Sequence, residues 1–205
     1  MAELWFGQPA EVASARDFIL VLVAEGVGTG IVFDGGIYRG ERGAAGEFGH
    51  MIVGADAPVA CSCGNRDCWE AFASERAAVA RYLRRRTGGS AKTAARDVTF
   101  DTVIDRALAG ERAAIEALDE TAHYLGIGIS NLIVGFSPET VIVGGAVTRA
   151  WSLIHDRLTE IVGRSVRRGL SSARIAPSSL GAQPTLMGAL SLVLAREFAA
   201  GTTAA

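Results

Sequence analysis

The chain of 205 residues is 49% hydrophobic and 20% charged, proportions typical of a globular protein with enough apolar residues for a large core. Its net charge of −2 gives no general attraction for a phosphate backbone, so it is a poor candidate for a nucleic-acid-binding surface. The start of the chain lacks the pattern of a signal peptide, and the apolar stretch 124–136 is too short and too glycine-broken to cross a bilayer. We therefore expect a cytoplasmic protein without a membrane partner.

The first part of the chain is predicted to contain the end of a helix followed by three strands. Within residues 1–17, bulky apolar residues stand at positions 4–6 with no helix cap before them, so a preceding segment is expected. Residues 18–24 form a continuous apolar run, typical of a strand covered on both faces. Asp-Gly-Gly at 34–36, between two apolar segments, predicts a two-residue hairpin turn.

The remainder of the chain is predicted to alternate between helices and strands, which is the pattern of an α/β layered fold. Glycines at 126 and 128 indicate that the long central helix packs closely against a neighbour. The predicted elements are helices over 71–86, 100–109, 113–134, 151–168 and 184–199, strands over 140–143 and 174–176, and a polar loop over 87–97.

Two features of these helices have both a functional and a structural interpretation. The arginines at 84–86 could contact nucleic acid, but a solvated helix end that complements the helix dipole explains them better. His123 is interpreted as an ordinary helix histidine rather than a ligand.

All three cysteines lie within residues 47–70, downstream of His50. Cys61, Cys63 and Cys68 have the spacing Cys-x-Cys-x4-Cys, which does not follow one face of a helix or strand but can converge in a glycine-containing loop. Three sulfurs and one imidazole nitrogen form a closed tetrahedral shell suited to structural zinc. A reducing cytoplasm also favours a metal over a disulfide. The alternative is three free buried thiols and an unrelated histidine.

Two motifs at compatible spacing carry a family resemblance. Residues 46–50 (GEFGH) followed by 61–70 (CSCGNRDCWE) closely resemble the ROK family of sugar kinases and sugar-responsive repressors. The segments 138–145 and 180–189 resemble further landmarks of that family. The resemblance implies an actin-like ATPase (ribonuclease H-like) fold with two lobes, a sugar in the cleft, and frequent dimers or tetramers.

The resemblance also implies how the chain is organised. It is expected to be largely the C-terminal lobe, with the N-terminal lobe and any helix-turn-helix upstream. Its parts are a residual helix and linker (1–17), glycine-rich strands (18–46), a sugar and zinc loop (47–70) and an α/β remainder (71–205).

By the same resemblance, Glu47, His50 and Glu70 would bind sugar. The carboxylates would accept hydrogen bonds from hydroxyls, while His50 would hold zinc by one ring nitrogen and offer the other side of its ring to the sugar. With no open coordination position, the zinc would be structural rather than hydrolytic. The alternatives are a loop-capping role for Glu47 and a helix-dipole role for Glu70.

Two departures from the kinase pattern favour the repressor branch. The chain lacks both the Asp-x-Gly-x-Thr phosphate motif and the Asn-Asp pair that supplies the catalytic base of a ROK kinase. In the nucleotide loop, Glu25 stands where the kinases carry threonine, and its negative charge would oppose ATP. The loop glycines are explained equally well by a tight turn. The vestigial nucleotide site would consist of Gly26, Gly28, Gly30, Gly144 and Gly145.

The sequence therefore predicts a zinc-containing, sugar-sensing domain of a ROK-type transcriptional regulator without kinase activity. DNA would be bound only through an upstream module, and sugar would act by biasing the relative position of the lobes. The alternative is a glucokinase-like sugar kinase that lacks its N-terminal lobe in this chain, with ATP as cofactor only in that case. A third possibility is a truncated remnant or fragment with no independent activity. Self-association is expected, because losing the first lobe would expose apolar surface.

Overall fold

A five-stranded mixed sheet lies at the centre of the protein. The structure is a computed structural model that describes residues 15–87, 98–166, 173–180 and 188–189. The apolar strand β1 (Phe18–Val23) is central, because it pairs antiparallel with β2 (Val27–Phe33) and parallel with β4 (Thr140–Gly144). Its side chains are buried in hydrophobic clusters on both faces of the sheet, as expected for a continuous apolar run. The strands are β1 (Phe18–Val23), β2 (Val27–Phe33), β3 (Gly36–Ile37), β4 (Thr140–Gly144) and β5 (Arg174–Pro177), in the order β3-β2-β1-β4-β5.

The predicted hairpin between β2 and β3 turns at Asp34 and Gly35. Both residues have positive φ angles, 50° and 74°, which is the conformation of a two-residue type I′ turn. β2 begins earlier than expected, because residues 27–30 pair with β1 across the antiparallel ladder. The glycine-rich segment is therefore mostly strand, and the turn before it is confined to residues 24–26.

The long helix α4 (Arg112–Phe136) lies at the centre of the helical layer, and the core joins its Leu125 and Ile129 to Val21 of β1 and Val143 of β4. A Cβ on Gly126 would lie 2.8 Å from Ile161 of α5 (Trp151–Ser165), which confirms the expected close packing of α4. Among the described residues, the α-helices are α1 (Trp69–Ala73), α2 (Glu75–Thr87), α3 (Phe100–Leu108), α4 (Arg112–Phe136) and α5 (Trp151–Ser165), with 3₁₀ turns at Glu47–His50 and Ala146–Ala150.

The helix expected over 71–86 is two helices that meet at Ser74. The hydroxyl of Ser74 accepts a hydrogen bond of 3.3 Å from the backbone N–H of Ala77, which is the geometry of an N-cap. All five residues of α1 are buried, whereas α2 has exposed positions along its length. The cap thus lets the chain leave the core and begin a new helix.

Two of the three arginines at the end of α2 form ion pairs within the protein. Arg85 lies 2.6 Å from Glu120 and 3.5 Å from Glu116, and Arg86 lies 3.8 Å from Glu111. These pairs support the structural interpretation of the triplet over a nucleic-acid contact.

His123 behaves as a structural histidine of α4. Burial, and then the positive charge of Arg157, lower its pKa. Its ring packs edge-on against Tyr124, with centroids 5.1 Å apart. The imidazole is therefore best described as a neutral packing residue.

Several predicted segments fall on residues outside the described ranges. They include the loop over 88–97, most of the linker over 1–17, the end of the helix at 167–168, and almost all of the closing helix over 184–199. Where the structure describes the chain, none of its helices is long and apolar enough to cross a membrane.

Candidate functional site

The 3₁₀ turn Glu47–His50 lies directly against the backbone of β2. A Cβ on Gly49 would lie 2.0 Å from the carbonyl oxygen of Val27, and one on Gly46 would lie 2.4 Å from that of Thr29. The Thr29 hydroxyl also donates a hydrogen bond of 2.5 Å to the carbonyl of Gly46. Both glycines of the motif are therefore required by contact with the strand, and this contact fixes how the side chains of the turn project.

Backbone contacts join this turn to the far end of the cysteine loop. The N–H of Trp69 donates to the carbonyl of Met51 at 2.8 Å, and Ile52 forms an isolated antiparallel bridge with Cys68. The loop therefore closes on itself, and the segments that carry His50 and Cys68 lie side by side.

The closed loop brings the four predicted metal ligands together. One ring nitrogen of His50 and the sulfurs of Cys61, Cys63 and Cys68 all lie within 4.8 Å of one another. Cys61 Sγ is 3.4 Å from His50 Nδ1 and 3.2 Å from Cys63 Sγ, and Cys63 Sγ is 3.7 Å from Cys68 Sγ. Zn–S bonds of about 2.3 Å place tetrahedral sulfurs about 3.8 Å apart. The donors therefore fit a zinc ion in number, type and approximate spacing.

The three thiols differ in their surroundings. Burial, and then the hydrogen bond to Glu70, raise the pKa of Cys61 to about 12, and burial also raises the pKa of Cys68. Cys63 is exposed, and its pKa is lowered chiefly by a hydrogen bond from the backbone of Asn65. The cluster thus has two shielded sulfurs and one that solvent reaches.

Trp69 anchors the cysteine loop on α4. Its side chain is fully buried, and its indole N–H donates a hydrogen bond of 2.9 Å to the carbonyl of Tyr124. The ring fills the space above Gly128 of the same helix. Because Cys68 and Glu70 flank this tryptophan, the anchor positions both of them.

Glu47 and His50 line a cavity of about 750 Å³ between the loop over 38–46 and the end of α4. Glu47 Oε2 lies 3.6 Å from His50 Nε2, and the two side chains are 72% and 34% exposed. His50 Nδ1 faces Cys61, which leaves Nε2 on the side of Glu47 and the cavity. A carboxylate acceptor beside a ring nitrogen provides hydrogen-bonding groups suited to ligand hydroxyls.

Glu70 is buried and does not line this cavity. Its Oε1 accepts hydrogen bonds from the Cys61 thiol at 3.0 Å and the Ser62 hydroxyl at 3.3 Å. Burial alone would raise the pKa of Glu70, but these hydrogen bonds and the charge of His50 lower it. A Cβ on Gly26 would lie 2.6 Å from Oε2. Glu70 therefore contacts both the cysteine cluster and the β1–β2 turn, apart from the other two predicted sugar ligands.

The glycines of the predicted nucleotide site gather around the end of β1. Gly28 and Gly144 pair with Leu22 from opposite sides of the strand. Gly145 has a φ of 101°, and a Cβ there would lie 1.9 Å from the carbonyl of Val23. The set comprises Gly26 in the turn, Gly28 and Gly30 in β2, Gly144 at the end of β4, and Gly145 directly after it.

Acidic side chains accompany these glycines. Glu75 begins α2 beside the exposed Glu25, and its N–H donates to the carbonyl of Ala24 at 2.9 Å. Burial, and then the negative charges of Asp101 and Glu25, raise the pKa of Glu75. Sequence reasoning identified Glu25 but missed the other two carboxylates, which come near only when α2 and α3 dock.

The motif and fold agree with a comparison against known families. A profile of the ROK family matches residues 1–196. This chain belongs to the ROK family. ROK proteins of known structure have an actin-like sugar kinase fold, and the mixed α/β sheet described above confirms the expected fold at that level.

ROK repressors and ROK kinases are both similar to this chain. The xylose repressor of Bacillus spizizenii is 31% identical over 180 residues, which cover 87% of this chain and 44% of the repressor. A glucokinase from Streptomyces griseus, solved with glucose and AMPPNP, has a TM-score of 0.80 at 29% identity, and the match covers 93% of this chain and 64% of the glucokinase. A ROK transcriptional regulator homologous to the E. coli MLC protein has a TM-score of 0.78 at 27% identity, and the match covers 92% of this chain and 47% of the regulator. The chain thus spans about half the length of the repressor and regulator.

Proposed function

We propose that this chain is a zinc-containing, sugar-sensing part of a ROK-family transcriptional regulator and that it has no kinase activity. The observation that carries the proposal is the position of His50. One of its ring nitrogens lies 3.4 Å from the sulfur of Cys61, and the other lies 3.6 Å from Glu47 at the cavity. One imidazole would thereby be both a metal ligand and a neighbour of Glu47, the proposed acceptor for sugar hydroxyls.

The proposed metal site consists of His50, Cys61, Cys63 and Cys68. Bound there, zinc would supply no reactive chemistry, because four protein donors complete its tetrahedral shell. The residues themselves would hold the loop closed and fix the ring orientation of His50 toward the cavity. Glu47 would then accept a hydrogen bond from a sugar hydroxyl. Glu70 would join the sugar site by turning from its present contacts with Cys61 and Ser62.

Charge at the end of β1 supports the absence of kinase activity. Glu25 and Glu75 lie at the edge where the glycines gather, so a triphosphate there would meet negative side chains. Two like charges about 4 Å apart repel by about 4 kcal/mol at an effective dielectric near 20, and solvent exposure of Glu25 reduces that figure. The similarity to xylose repressors points in the same direction.

Sugar binding would act on DNA through an upstream module and through subunit contacts. A ligand shifts the position of two lobes only if it binds the two arrangements with different affinity. We also propose that the chain forms dimers or tetramers, since the apolar side chains of Ile52 and Val134 are 71% and 55% exposed. Light scattering on a size-exclusion column tests this, and a strictly monomeric protein would contradict it.

Isothermal titration of the full-length protein with xylose, glucose and N-acetylglucosamine tests the sugar-sensing function. We expect binding of at least one sugar, and we expect Glu47→Ala to weaken it at least tenfold. Glu139→Ala is the matched control, because Glu139 is an exposed glutamate at the start of β4, away from the cavity. Failure of every simple sugar to bind, whether free or as a glycoside, would overturn the proposal.

The second candidate is an ATP-dependent sugar kinase, which the similarity to a ROK glucokinase favours. An upstream Asp-x-Gly-x-Thr together with Asn-Asp would support it, whereas an upstream helix-turn-helix would support the regulator. Glu25→Thr should raise ATP affinity about tenfold in the full-length protein if the charge argument holds. Glu139→Thr should leave it unchanged, and an equal response to both substitutions would refute the charge argument.

A further inference from the structure

The cavity beside Glu47 and His50 is larger than a single sugar needs. Its volume is about 750 Å³. Cavities of roughly 300–1,000 Å³ hold drug-sized molecules, and one pyranose ring is smaller than these. A sugar held by Glu47 and His50 would therefore occupy only one part of the cavity, and the rest would be shared by the upstream lobe and any substituent on the sugar.

Part of the lining of the cavity is aromatic. Phe48 and Phe136 meet edge to face with ring centroids 5.3 Å apart. Phe33 connects Phe136 to Tyr38, with centroid distances of 5.9 and 6.3 Å. Rings packed in this way hold one another in place. Tyr38 nevertheless remains 53% exposed at the cavity, so an apolar ring surface is available next to the polar groups.

The charges around the cavity favour a neutral ligand. Glu41 and Arg42 both line it and carry opposite charges, so their contributions offset each other. Glu47 then leaves the cavity with a net negative charge. A phosphate substituent on the sugar would be repelled by that charge, whereas an apolar substituent would be accepted by the rings.

We propose that the cavity contains an aglycone subsite, so that the ligand is a neutral glycoside with an aryl or alkyl group. The sugar binds at Glu47 and His50, and its apolar substituent packs against Tyr38, Phe48 and Phe136. This inference rests on the proposed sugar-sensing function, because it takes the position of the sugar from it. It specifies the ligand class as substituted glycosides rather than free monosaccharides.

Isothermal titration of the full-length protein with matched ligand pairs tests the subsite. The pairs are xylose with phenyl xyloside and glucose with phenyl glucoside, using both anomers of each glycoside. We expect the preferred phenyl glycoside to bind at least tenfold more tightly than its free sugar, because the ring is removed from water. Tyr38→Ala should weaken binding of the phenyl glycoside about fivefold without affecting binding of the free sugar. Tyr38→Phe should keep the affinity for both ligands.

The outcomes separate this inference from the proposed function. Binding of a phenyl glycoside in the absence of measurable binding of its free sugar would support the subsite. A free sugar that binds as tightly as its phenyl glycoside would overturn the subsite and leave the sugar-sensing function standing. Equal weakening of both ligands by Tyr38→Ala would also overturn it. Absence of binding by any sugar or glycoside would overturn both proposals.

Discussion

Gly128 of α4 and Trp69 of α1 are in direct contact, so that a Cβ on the glycine would lie 2.0 Å from Cε2 of the indole. The tryptophan is fully buried and sits between Cys68 of the metal cluster and Glu70. A glycine on a helix remote in sequence from the cysteine loop therefore determines where that loop lies.

Gly128→Ala should destabilise the protein by about 1–3 kcal/mol, the usual cost of overpacking a core. The fused ring of Trp69 cannot move aside as a flexible side-chain end could, so we expect the upper part of that range. Chemical denaturation measures the effect. Gly135→Ala is the control on the same helix, because a Cβ there has open space around it and should leave stability unchanged or slightly raised. Equal effects of the two substitutions would contradict the packing argument.

The metal site predicts a single zinc ion per chain, which elemental analysis of the purified protein can measure. Cys63→Ser or His50→Ala should remove the metal. EDTA should lower the thermal midpoint of unfolding by about 5 °C or more, because a loss of roughly 2 kcal/mol of stability corresponds to about 4–8 °C for a protein of this size. His155→Ala is the control, because the His155 side chain is 42% exposed and, within the described part of the chain, contacts Asp156 and the Trp151 ring rather than the cysteine cluster. Zinc content unchanged in Cys63→Ser and His50→Ala would exclude the proposed ligand set.

The 3₁₀ turn Glu47–His50 packs directly against β2. We therefore expect Gly49→Ala to weaken sugar binding at least tenfold and to cost about 1–3 kcal/mol of stability. The new Cβ would lie 2.0 Å from the backbone oxygen of Val27, which cannot yield without moving the strand, so the turn itself must shift. Gly28→Ala places a Cβ in open space one residue along the same strand and should change neither property. Titration and denaturation of both variants measure the difference, and normal sugar affinity in Gly49→Ala would show that the turn tolerates displacement.

The ion pair between the buried Arg81 and the half-buried Glu120 predicts a stability that depends on pH. Arg81 is fully buried, and its Nε donates a hydrogen bond of 2.7 Å to Glu120. Burial alone would raise the pKa of Glu120, but hydrogen bonds from Arg85 and Arg81 lower it below its ordinary value. The contribution of Glu120 to stability is therefore complete above the unfolded pKa of about 4.3 and is lost as the pH falls through the folded pKa.

Glu120→Gln should consequently cost about 2 kcal/mol at neutral pH, because it leaves the guanidinium of Arg81 without its charged partner. The variant should also lose less stability than the native protein on acidification from pH 5 to about pH 3. Glu116→Gln, one helical turn away and also paired with Arg85, should have a smaller effect because the side chain of that glutamate is 45% exposed. Denaturation curves at several pH values check this, and parallel pH profiles for native protein and Glu120→Gln would refute it.

The sequence was informative wherever the determinants are local. The hairpin at Asp34 and Gly35 and the convergence of His50 with the cysteines follow from turn chemistry and ligand type within short segments. The break at Ser74 was missed, because helical periodicity continues through it while the fold turns the chain there.

Groupings made by tertiary packing were not predictable. Glu75 and Asp101 come near Glu25 only because α2 and α3 pack there, and no local sequence pattern predicts that contact. The aromatic wall of the cavity combines Tyr38 with Phe136, which are far apart in sequence, for the same reason. The buried position of Glu70 against Gly26 likewise depends on how the closed loop meets the β1–β2 turn.

The hydrogen bond from the indole of Trp69 reaches the carbonyl of Tyr124, 55 residues further along the chain. The four candidate metal ligands, by contrast, all lie in one short segment. During translation at roughly 5–20 residues per second, the cysteines leave the ribosome about 3–11 s before Tyr124 does. A nascent polypeptide can therefore capture zinc before the helix that receives the loop has emerged from the ribosome. Ribosome-stalled chains ending before residue 124 should already retain the metal.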